Sequence, residues 1–498
     1  MTVQQTAPET ALEPLGLWID GAIRESDGTE RIPSVDPYTG RAWATVPNAT
    51  ESDVDRAVAA ARAAFEGPWR AMPGAERAKI LRRIADLVER DREHLARVES
   101  RDNGKLLRET MGVVGNLPRW FHWFAGAADR LTGTTAPAAN PNYFVYTTRE
   151  PVGVVAAVVP WNAPLILLTM KIAPALAAGC TVVVKTAEQT TASALELAKL
   201  TKEAGLPDGV LNIITGEGQT TGRALVRHPG VDKVSFTGST RAGVQVMQDA
   251  ATHLAPVTLE LGGKSANIVF ADADLDAAAN GVIAGVFAAA GQMCIAGGRV
   301  VVERSVHDAL LEKVAARART IKLGSPFDAE SEMGPLATRE QRDRVLDMIA
   351  AAREEGAALV CGGRSPEGDG FFVEPTVFTG VTSAMRLSRE EVFGPVAAVF
   401  PFDTEEEAIR LANDTEYGLA GGIWTRDLQR GLRMARAVRA GTLWLNAYRV
   451  QDAAVPFGGT KASGFGRENG DEALHEVTEV KSVWVELSGQ TRDPFVMG

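Results

Sequence analysis

The sequence predicts an α/β protein, and three observations support this fold class. At 498 residues the chain is too long for one compact core, so two or three domains are expected. From Gly153 onward, short apolar segments alternate with segments of helical periodicity, and a second series of the same kind begins after Cys294. Strands that alternate with helices at this spacing form a parallel sheet with helices on both faces.

The composition is typical of a soluble globular protein and argues against several classes of partner. Hydrophobic residues make up 45% of the chain and charged residues 23%. The formal net charge of -11 argues against nucleic acid and against an anionic membrane surface. Three cysteines (Cys180, Cys294 and Cys361) make a disulfide framework improbable, and no signal or transit peptide is visible, so a cytoplasmic protein is expected. The six histidines have no ligand-like spacing, and no metal site is predicted.

The first 150 residues are predicted to contain a disordered tail at residues 1–15, two short strands, three helices and an arm. The first helix begins after Thr50, whose side chain is expected to cap it together with Asp53. The predicted elements are strands at 18–21 and 41–47 around a turn at 36–40, helices at 50–63, 75–100 and 110–131, and an alternating strand at 142–149 that leaves the first domain.

The first strand–helix series is typical of a nucleotide-binding α/β domain, whose ligand lies beyond the carboxyl ends of the strands. Its predicted strands are at 154–159, 181–185, 210–214, 233–236, 257–260 and 266–270. Its predicted helices are at 164–178, 191–204, 221–226 and 239–250.

The second series begins after Cys294. Its predicted strands are at 299–303, 373–378, 397–400 and 442–445, and its predicted helices are at 306–322, 338–355, 405–414 and 427–438. The segment at 477–486 alternates over its whole length and has no obvious hairpin mate. This pattern indicates pairing across a subunit interface, and therefore a homo-oligomer.

The most distinctive stretch is the run of small residues around Cys294, at positions 288–298. Small neighbours allow a substrate and a second ligand to approach the sulfur closely. A thiol needs only modest activation to become a nucleophile near neutral pH. A buried structural cysteine is the alternative, and this stretch alone favours neither interpretation.

Several polar residues directly follow predicted strands and could serve Cys294. The Asn162 amide could stabilise an oxyanion, and Glu260, which precedes two glycines, is a candidate general base. Lys185 and Glu188 could hold ribose hydroxyls, and the turn that contains Ser239 suits a pyrophosphate. Taken singly, each is more often a capping residue, a solvated charge or part of a structural turn.

Taken together, seven short motifs resemble those of the NAD(P)-dependent aldehyde dehydrogenase superfamily, in the family's order, from Trp18 to Glu486. The motifs are Pro160-Trp161-Asn162, Lys185-Thr186-Ala187-Glu188-Gln189, Phe236-Thr237-Gly238-Ser239, Glu260-Leu261-Gly262-Gly263-Lys264, Gly291-Gln292-Met293-Cys294, Glu390-Glu391-Val392-Phe393-Gly394-Pro395 and Pro456-Phe457-Gly458-Gly459. The resemblance implies a Rossmann-type NAD-binding domain in two pieces (16–135 and 153–262), an α/β catalytic domain (263–477) and a small β oligomerisation domain (136–152 and 478–498).

The resemblance also implies a mechanism. Cys294 attacks the aldehyde carbon, and the Asn162 side chain and the Cys294 backbone N–H hold the oxygen of the thiohemiacetal. Hydride then leaves for the nicotinamide, and Glu260 activates the water that hydrolyses the thioester. The presence of Glu260 resembles the hydrolytic branch, because the CoA-acylating branch lacks this base. Lys171 is placed with the catalytic residues, and Glu468 corresponds to an acidic residue of a water or proton path.

The cofactor implied by the resemblance is NAD. A carboxylate at Glu188 would repel a 2′-phosphate and bond a 2′-hydroxyl, so NAD is favoured over NADP, although some family members accept both. The implied cofactor-binding residues are Pro160, Trp161, Lys185, Glu188, Gly238, Ser239, Leu261, Glu391 and Phe393.

The implied substrate tunnel is mostly apolar, which suits a medium-sized aliphatic or aromatic aldehyde. Arg449, at the tunnel entrance, could pair with the carboxylate of a semialdehyde, but a solvated rim charge is favoured. The implied tunnel residues are Trp161, Ala163, Ile166, Leu167, Met170, Met293, Ile295 and Phe457.

Several alternatives stay open at this stage. The first is a semialdehyde or amino-aldehyde dehydrogenase of the same mechanism, and the second is a non-catalytic structural member of the family. A thiol hydrolase built on Cys294 ranks lower, because it would need a partner histidine and none lies in a recognisable motif. The choice between a dimer and a tetramer is also open.

Overall fold

A computed structural model describes residues 12–490 and 493–495 of the chain. The described strands form four sheets: one of eight strands, one of seven and two of three. The strands are β1 Glu13–Pro14, β2 Leu17–Ile19, β3 Ala22–Arg24, β4 Arg31–Asp36, β5 Arg41–Pro47, β6 Thr135–Ala136, β7 Tyr143–Pro151, β8 Val154–Val158, β9 Thr181–Thr186, β10 Leu211–Thr215, β11 Lys233–Thr237, β12 Val257–Glu260, β13 Ala266–Val269, β14 Arg299–Glu303, β15 Ala358–Cys361, β16 Thr376–Thr379, β17 Val396–Phe402, β18 Ala420–Trp424, β19 Thr442–Leu445, β20 Gly464–Phe465 and β21 Thr478–Glu486.

Helices cover the sheets and connect most of the parallel strands. They are α1 Glu51–Glu66, α2 Pro68–Ala71, α3 Gly74–Arg90, α4 Arg92–Asn103, α5 Leu107–Ala127, α6 Pro164–Ala178, α7 Ala192–Glu203, α8 Arg223–Arg227, α9 Thr240–Ala250, α10 Leu275–Val286, α11 His307–Thr320, α12 Arg339–Glu354, α13 Arg386–Arg389, α14 Glu405–Asn413, α15 Leu428–Ala437 and α16 Gly470–Glu476. None of the helices in the described ranges is both long and apolar enough to cross a membrane.

The eight-stranded sheet has the order β20-β12-β11-β8-β9-β10-β2-β3, and its five central strands are parallel. From β8 the chain builds outward through β9 and β10, and then returns to the other side of β8 to add β11 and β12. The strand order therefore reverses between β8 and β11. In an open α/β sheet, a ligand binds beyond the carboxyl ends of the strands at such a reversal.

The seven-stranded sheet has the order β15-β16-β17-β14-β13-β18-β19. We expected the strand at 266–270 to close the first series, and this expectation is wrong, because β13 pairs with β14 and β18 in the second sheet. The segment that connects β12 of the first sheet to β13 of the second contains Gly262 and Gly263. A Cβ on Gly263 would lie 2.4 Å from the Cys294 carbonyl oxygen, so only glycine allows this close approach.

Two of the helix predictions need correction. The helix predicted at 75–100 is two helices, because the backbone leaves helical geometry at Asp91 (φ -101°, ψ 16°). The apolar periodicity did not reveal the break, because only Asp91 leaves helical geometry. Buried leucines continue on both sides of it, at Leu87 and Leu95. The third helix ends at Ala127 and not at 131. The first helix begins as predicted, with Thr50 and Asp53 in a reciprocal capping box.

Both ends of the chain also differ from expectation. The tail predicted at 1–15 lies partly outside the described residues, and its described part includes β1, which pairs in parallel with β5. The terminal strand β21 finds its mate inside the chain, since it pairs antiparallel with β7 over nine residues from Thr478↔Pro151 to Glu486↔Tyr143. The prediction that this strand pairs across a subunit interface is therefore wrong for the edge that faces β7. Alternation shows that a strand has two faces but does not identify its neighbour.

Candidate active site

A cavity of about 170 Å³ opens where β8, β11 and β12 end. It brings together the three principal predicted catalytic residues, Cys294, Asn162 and Glu260, from segments that are far apart in sequence. The predicted residues that also line it are Pro160, Trp161, Leu167, Gly238, Ser239, Leu261, Glu391 and Phe393. Four lining residues were not predicted: Thr237, Gly262, Gln341 and Arg344.

Cys294 comes three residues after a tight turn at Ala288–Gly291, which follows α10, and its side chain is half-buried. Burial raises the pKa of the Cys294 thiol to about 12, and the negative charges of Glu391 and Glu260 contribute in the same direction. The thiol is therefore protonated near neutral pH. A nucleophilic role for this sulfur requires a nearby group that accepts the proton.

Asn162 follows β8 and is held in a fixed orientation. Its side chain is 8% exposed, and Nδ2 donates a hydrogen bond to the Gln292 carbonyl oxygen at 3.0 Å. Gln292 is two residues before Cys294, so the amide is tied to the cysteine loop. A donor fixed in this way suits an oxygen that gains negative charge during a reaction, because no reorganisation is needed at that moment.

Glu260 ends β12 and is 4% exposed. Neither of its carboxylate oxygens has a hydrogen-bond partner among the described residues. Burial and the nearby Glu468 carboxylate raise its pKa well above the usual range. A Cβ on Gly458 would lie 2.6 Å from Glu260 Oε1, so the glycine makes room for the carboxyl group. A buried carboxylate with free lone pairs and a raised pKa has the properties of a general base.

Lys171 and Glu468 form a buried ion pair behind Glu260, away from the lining of the cavity. Lys171 Nζ also donates to Ser235 Oγ at 2.9 Å. The second carboxylate oxygen of Glu468 has no partner among the described residues. Since the Glu468 charge affects the pKa of Glu260, the pair belongs electrostatically to the same site.

Glu391, which also lines the cavity, is anchored by hydrogen bonding. Its Oε1 accepts the Gly263 N–H at 2.9 Å, and burial raises the pKa of Glu391 to about 7. A Cβ on Gly262 would lie 2.4 Å from Glu391 Oε2. The two glycines of the Glu260-Leu261-Gly262-Gly263 motif therefore let the backbone approach this carboxylate closely.

Phe393 lies two residues after Glu391 and has a positive φ of 53°. Its ring meets the Trp161 ring edge to face, with centroids 5.3 Å apart. Gln341, on α12, holds this backbone, because its Nε2 donates to the carbonyl oxygens of Val392 and Phe393 at 3.1 and 2.9 Å. The sequence gives no local signal for the role of Gln341, which depends on a contact across 52 residues.

Lys185 lies near the end of β9 and Glu188 just after it, and neither residue lines the cavity. Lys185 is 4% exposed, and its Nζ is 3.2 Å from Glu188 Oε2. Ser239 is the N-cap of the eleven-residue helix α9, and its Oγ accepts the Ala242 N–H at 3.3 Å. A second cavity of about 90 Å³ lies beside this helix and is lined by Val158, Gly218, Gln219, Gly222, Arg223, Val226, Phe236, Ala242, Gln245, Val246 and Asp249.

The model of the aldehyde dehydrogenase family matches residues 23–483, which is nearly the whole chain. The chain belongs to this family. The predicted family and the aldehyde-dehydrogenase-like α/β fold are thereby confirmed, as is the class of oxidoreductase.

Curated relatives match this aldehyde dehydrogenase over almost their full length. The (Z)-2-((N-methylformamido)methylene)-5-hydroxybutyrolactone dehydrogenase of Acinetobacter baylyi is 44% identical, and the match covers 98% of this chain and 100% of that protein. Human retinal dehydrogenase 2 is 44% identical over 96% of this chain and 93% of its own. The names of these two relatives specify different compounds, so the family alone does not identify the substrate.

Solved structures match the fold equally well. The aldehyde dehydrogenase of Bacillus cereus in complex with NAD+ has a TM-score of 0.94 and 45% identity, and the match covers 96% of this chain and 97% of that one. The betaine aldehyde dehydrogenase of Staphylococcus aureus in complex with NAD+ has a TM-score of 0.95 and 40% identity, with 97% of each chain covered. NAD+ in both structures agrees with the cofactor expected for this aldehyde dehydrogenase.

The predicted substrate residues of the aldehyde dehydrogenase do not all reach the cavity. Leu167 and Trp161 line it, whereas Met170, Ile295 and Phe457 are buried in the apolar core cluster. The remaining three are not among the lining residues: Ile166 and Met293 are partly buried against the same core cluster, and Ala163 is the N-cap of α6.

Arg449 was predicted at the entrance of the tunnel. Its Nη1 donates to the Ala284 carbonyl oxygen of α10 at 2.9 Å, and its backbone φ is 67°. The neighbouring Tyr448 hydroxyl donates to the Ile295 carbonyl oxygen at 2.9 Å. These two contacts tie the loop at 447–452 to the segments on either side of Cys294. Sequence reasoning missed this bracing, because neither contact leaves a pattern in the chain.

Proposed function

We propose that this aldehyde dehydrogenase uses NAD to oxidise a medium-sized aliphatic or aromatic aldehyde to the carboxylic acid, through a thioester on Cys294 that water hydrolyses. One observation carries this proposal: Cys294, the Asn162 amide and the unpaired Glu260 carboxylate meet at a single cavity. A non-catalytic structural member of the family would have no chemical need for all three groups.

The residues in and around the cavity fit NAD. The cavity lies at the reversal of strand order, beside the N-terminus of α9 capped by Ser239. Glu391 offers a carboxylate for a ribose hydroxyl, and Lys185 and Glu188 offer an ammonium and a carboxylate for the other ribose. Because Glu188 would repel a 2′-phosphate, we propose NAD over NADP. Bound NAD supplies a hydride acceptor.

The first chemical step is attack by Cys294 Sγ on the aldehyde carbon. The thiol must lose its proton, because its pKa is raised to about 12, and the Glu260 carboxylate is the base that accepts it. A carbon–sulfur bond forms, and the carbonyl π pair moves to the oxygen. The Asn162 Nδ2 and the Cys294 backbone N–H stabilise that oxygen, so its negative charge is held but not neutralised.

The thiohemiacetal becomes a thioester when its C–H bond breaks and the hydride leaves, which bound NAD would accept. We propose that water then hydrolyses this thioester, as in the hydrolytic branch of the family. Glu260 takes a proton from water as the oxygen attacks the thioester carbon, and the carbon–sulfur bond then breaks to release the acid. Glu468 and Lys171 lie behind Glu260 and are proposed to carry the accumulated proton away from it.

The aldehyde is proposed to be apolar near its carbonyl group, because Trp161, Leu167 and Phe393 line the cavity. A semialdehyde with a remote carboxylate is the second candidate. The donor contact from Arg449 to Ala284 occupies part of that guanidinium, which favours the first candidate.

We propose that the protein is a homo-oligomer, either a dimer or a tetramer, and that β21 takes part in the subunit contact. Among the described strands, β21 lies at the edge of its sheet, and its Trp484 side chain is 63% exposed. The domain boundaries are proposed at 16–135 with 153–262, 263–477, and 136–152 with 478–498. A cytoplasmic location is supported by the free thiols of Cys180, Cys294 and Cys361. Light scattering after gel filtration measures the assembly state.

The experiment that tests the function follows NADH absorbance when the purified protein is mixed with NAD and a panel of aldehydes, beside Cys294→Ala. Apolar, ω-carboxylated and quaternary-ammonium aldehydes separate the candidate substrates. We expect cysteine-dependent NADH with the apolar members. The same panel with NADP tests the argument from Glu188. Absence of NADH and NADPH with every aldehyde would contradict the proposal and favour a non-catalytic member.

A further inference from the structure

The turn that leads to Cys294 has an unusual backbone. Ala289, Ala290 and Gly291 are three consecutive residues with positive φ, at 52°, 53° and 71°. Glycine adopts this conformation freely, but alanine does so only when its surroundings hold it there. Strained backbone of this kind is often found at functional sites. The two alanines therefore need an external restraint.

Glu109 provides that restraint from a distant part of the chain. Its Oε1 accepts the Ala289 N–H at 2.9 Å, across 180 residues of sequence. Its Oε2 accepts the Leu106 N–H at 3.3 Å and so caps the first turn of α5. Because both oxygens are engaged, the carboxylate cannot turn away from Ala289 without losing the cap.

The other side of the turn is held by Gln292. The Ala289 carbonyl oxygen accepts the Gln292 backbone N–H at 3.1 Å and Nε2 at 3.3 Å, while Gln292 Oε1 accepts the Ala337 N–H at 2.9 Å. A Cβ on Gly291 would lie 2.2 Å from the Gly394 carbonyl oxygen, so the turn packs directly on the loop that carries Glu391 and Phe393. The turn has little room to relax in that direction.

The turn also determines where the reactive groups lie. The Gln292 carbonyl oxygen accepts the Asn162 Nδ2 hydrogen bond, and Cys294 follows two residues later. A shift of Ala289 would therefore move the Asn162 amide, the Cys294 thiol and the Cys294 backbone N–H relative to one another. Misplacement of a reacting group by about 1 Å can reduce the rate by about a hundredfold.

We propose that Glu109 is a positioning residue for the nucleophile: its carboxylate holds Ala289 in the left-handed conformation and thereby fixes the cysteine loop. This role rests on the proposed function of Cys294. Glu109 is not among the residues that line the cavity, so it acts through the backbone of the turn and not on the substrate.

The test is Glu109→Ala in the full-length protein. We expect kcat to fall about tenfold, while KM for NAD stays within about twofold of wild type, because the restraint affects the nucleophile and not the nucleotide. Hydrogen–deuterium exchange in a peptide covering 288–298 should become faster, since the Ala289 N–H loses its acceptor. Exchange is measured without turnover, so it tests the restraint even if no substrate is found.

Arg108→Ala is the matched control. Arg108 is the neighbouring residue in the same helical turn, and its Nη1 donates to the Ser331 carbonyl oxygen, away from the cysteine loop. We expect its kcat and its exchange at 288–298 to match wild type. A tenfold loss of kcat in this control would contradict the proposal, because the effect would then come from α5 as a whole.

A second variant separates the restraint from the helix cap. In Glu109→Ala/Ala289→Gly, glycine removes the cost of the left-handed conformation but cannot restore the cap. We expect kcat to recover several-fold over Glu109→Ala, with no recovery of the melting temperature. The proposal is overturned if kcat does not recover, or if Glu109→Ala alone keeps both kcat and exchange at wild-type values. If wild type forms no NADH while exchange behaves as expected, the proposed function fails and the restraint stands.

Discussion

Glu260, which is buried, and Glu391, which is half-buried, line the same cavity as the Cys294 thiol, yet only one of the two carboxylates is anchored by a hydrogen bond. Glu391 accepts a hydrogen bond from the Gly263 backbone, whereas Glu260 has no partner among the described residues. The pKa of each carboxyl is raised by burial, and each raises the pKa of Cys294. A carboxylate anchored by the backbone is suited to hold a ligand, and one with free lone pairs is suited to move a proton.

The largest expected effect is that of Cys294→Ala, which tests whether both carboxylates serve this thiol. Among the described residues that line the cavity, Cys294 is the one thiol that can form the thioester, so turnover should fall to background when the sulfur is lost. NAD binding, followed by protein fluorescence, should stay within about threefold of wild type. Measurable aldehyde oxidation by Cys294→Ala would contradict the role of the thiol, and the two carboxylates could then not be compared by their effects on it.

Glu260→Gln should lower steady-state kcat by about a hundredfold, because a general base contributes about 10²–10⁴ to a rate. The amide keeps the shape of the side chain but cannot accept a proton from water. Quenched-flow experiments should show accumulation of the acyl-enzyme, with hydrolysis slowed more than the first turnover. Unchanged steady-state turnover would refute the assignment of Glu260 as the base.

Glu391→Gln should have a smaller and different effect. The amide oxygen can still accept the Gly263 N–H, but the charge that would hold a ribose hydroxyl is lost. We expect KM for NAD to rise about tenfold, as the loss of one charge-assisted hydrogen bond predicts, with little accumulation of acyl-enzyme. Steady-state kinetics over a range of NAD concentrations provides the measurement, and a pure kcat effect would contradict a role in holding the cofactor.

Substitution of a neighbouring glycine should displace each carboxylate while the glutamate itself is kept, since Glu260 and Glu391 each lie against a glycine. A Cβ on Gly458 would lie 2.6 Å from Glu260 Oε1, and one on Gly262 would lie 2.4 Å from Glu391 Oε2. Gly458→Ala should therefore reproduce a weaker form of Glu260→Gln, with kcat down about tenfold, and Gly262→Ala should raise KM for NAD several-fold. The comparison fails if the two alanine variants have the same kinetic signature.

The smallest expected effect concerns the reactivity of the thiol. With a pKa raised to about 12, Cys294 is mostly protonated below that pH, so its alkylation by iodoacetamide should accelerate with pH through the range 7–10. Glu391 has a pKa of about 7, so above that pH its negative charge opposes the thiolate. Glu391→Gln should therefore speed alkylation a few-fold above pH 7 and have no effect at pH 6.

Glu260→Gln provides the contrast in the same assay. Removing its charge would also favour the thiolate, but removing the base that accepts the thiol proton should slow the reaction. We expect slower alkylation, measured by mass spectrometry of the Cys294 peptide. If both variants accelerate alkylation equally, the two carboxylates act on Cys294 only as charges.

Much of the fold was predictable because its signals are local. A few neighbouring residues are enough to predict the capping box of Thr50 and Asp53, the bounds of α6 and the alternation of β7 and β21. The break at Asp91 was missed because the apolar periodicity continues across it. The strand β18 was missed because Gly421 and Gly422 lower its strand propensity. A Cβ on Gly422 would lie 2.6 Å from Asn267 Oδ1, so it is packing that requires glycine there.

In the candidate site, too, some features were predictable from local sequence and others depend on packing. Cys294, Asn162, Glu260 and Glu391 were found from short motifs, and Asn162 and Glu260 meet because the parallel strands β8 and β12 end at one edge of the sheet. Met170 and Ile295, which were predicted to line the substrate tunnel, are buried, and their burial could not be predicted from a short motif. Their place in the tunnel stays a prediction. Both are apolar, and an apolar side chain suits a tunnel wall and a protein core equally well.

The sequence alone determined most of the helices and strands and which family the motifs resemble, because these depend on backbone preference and on neighbours along the chain. Only the tertiary structure decided that β13 joins the second sheet, that β21 pairs with β7, and that Glu109 holds the turn before Cys294. These are contacts between segments far apart in sequence. Their free energy arises when the whole chain packs, and it leaves no periodic trace in either segment.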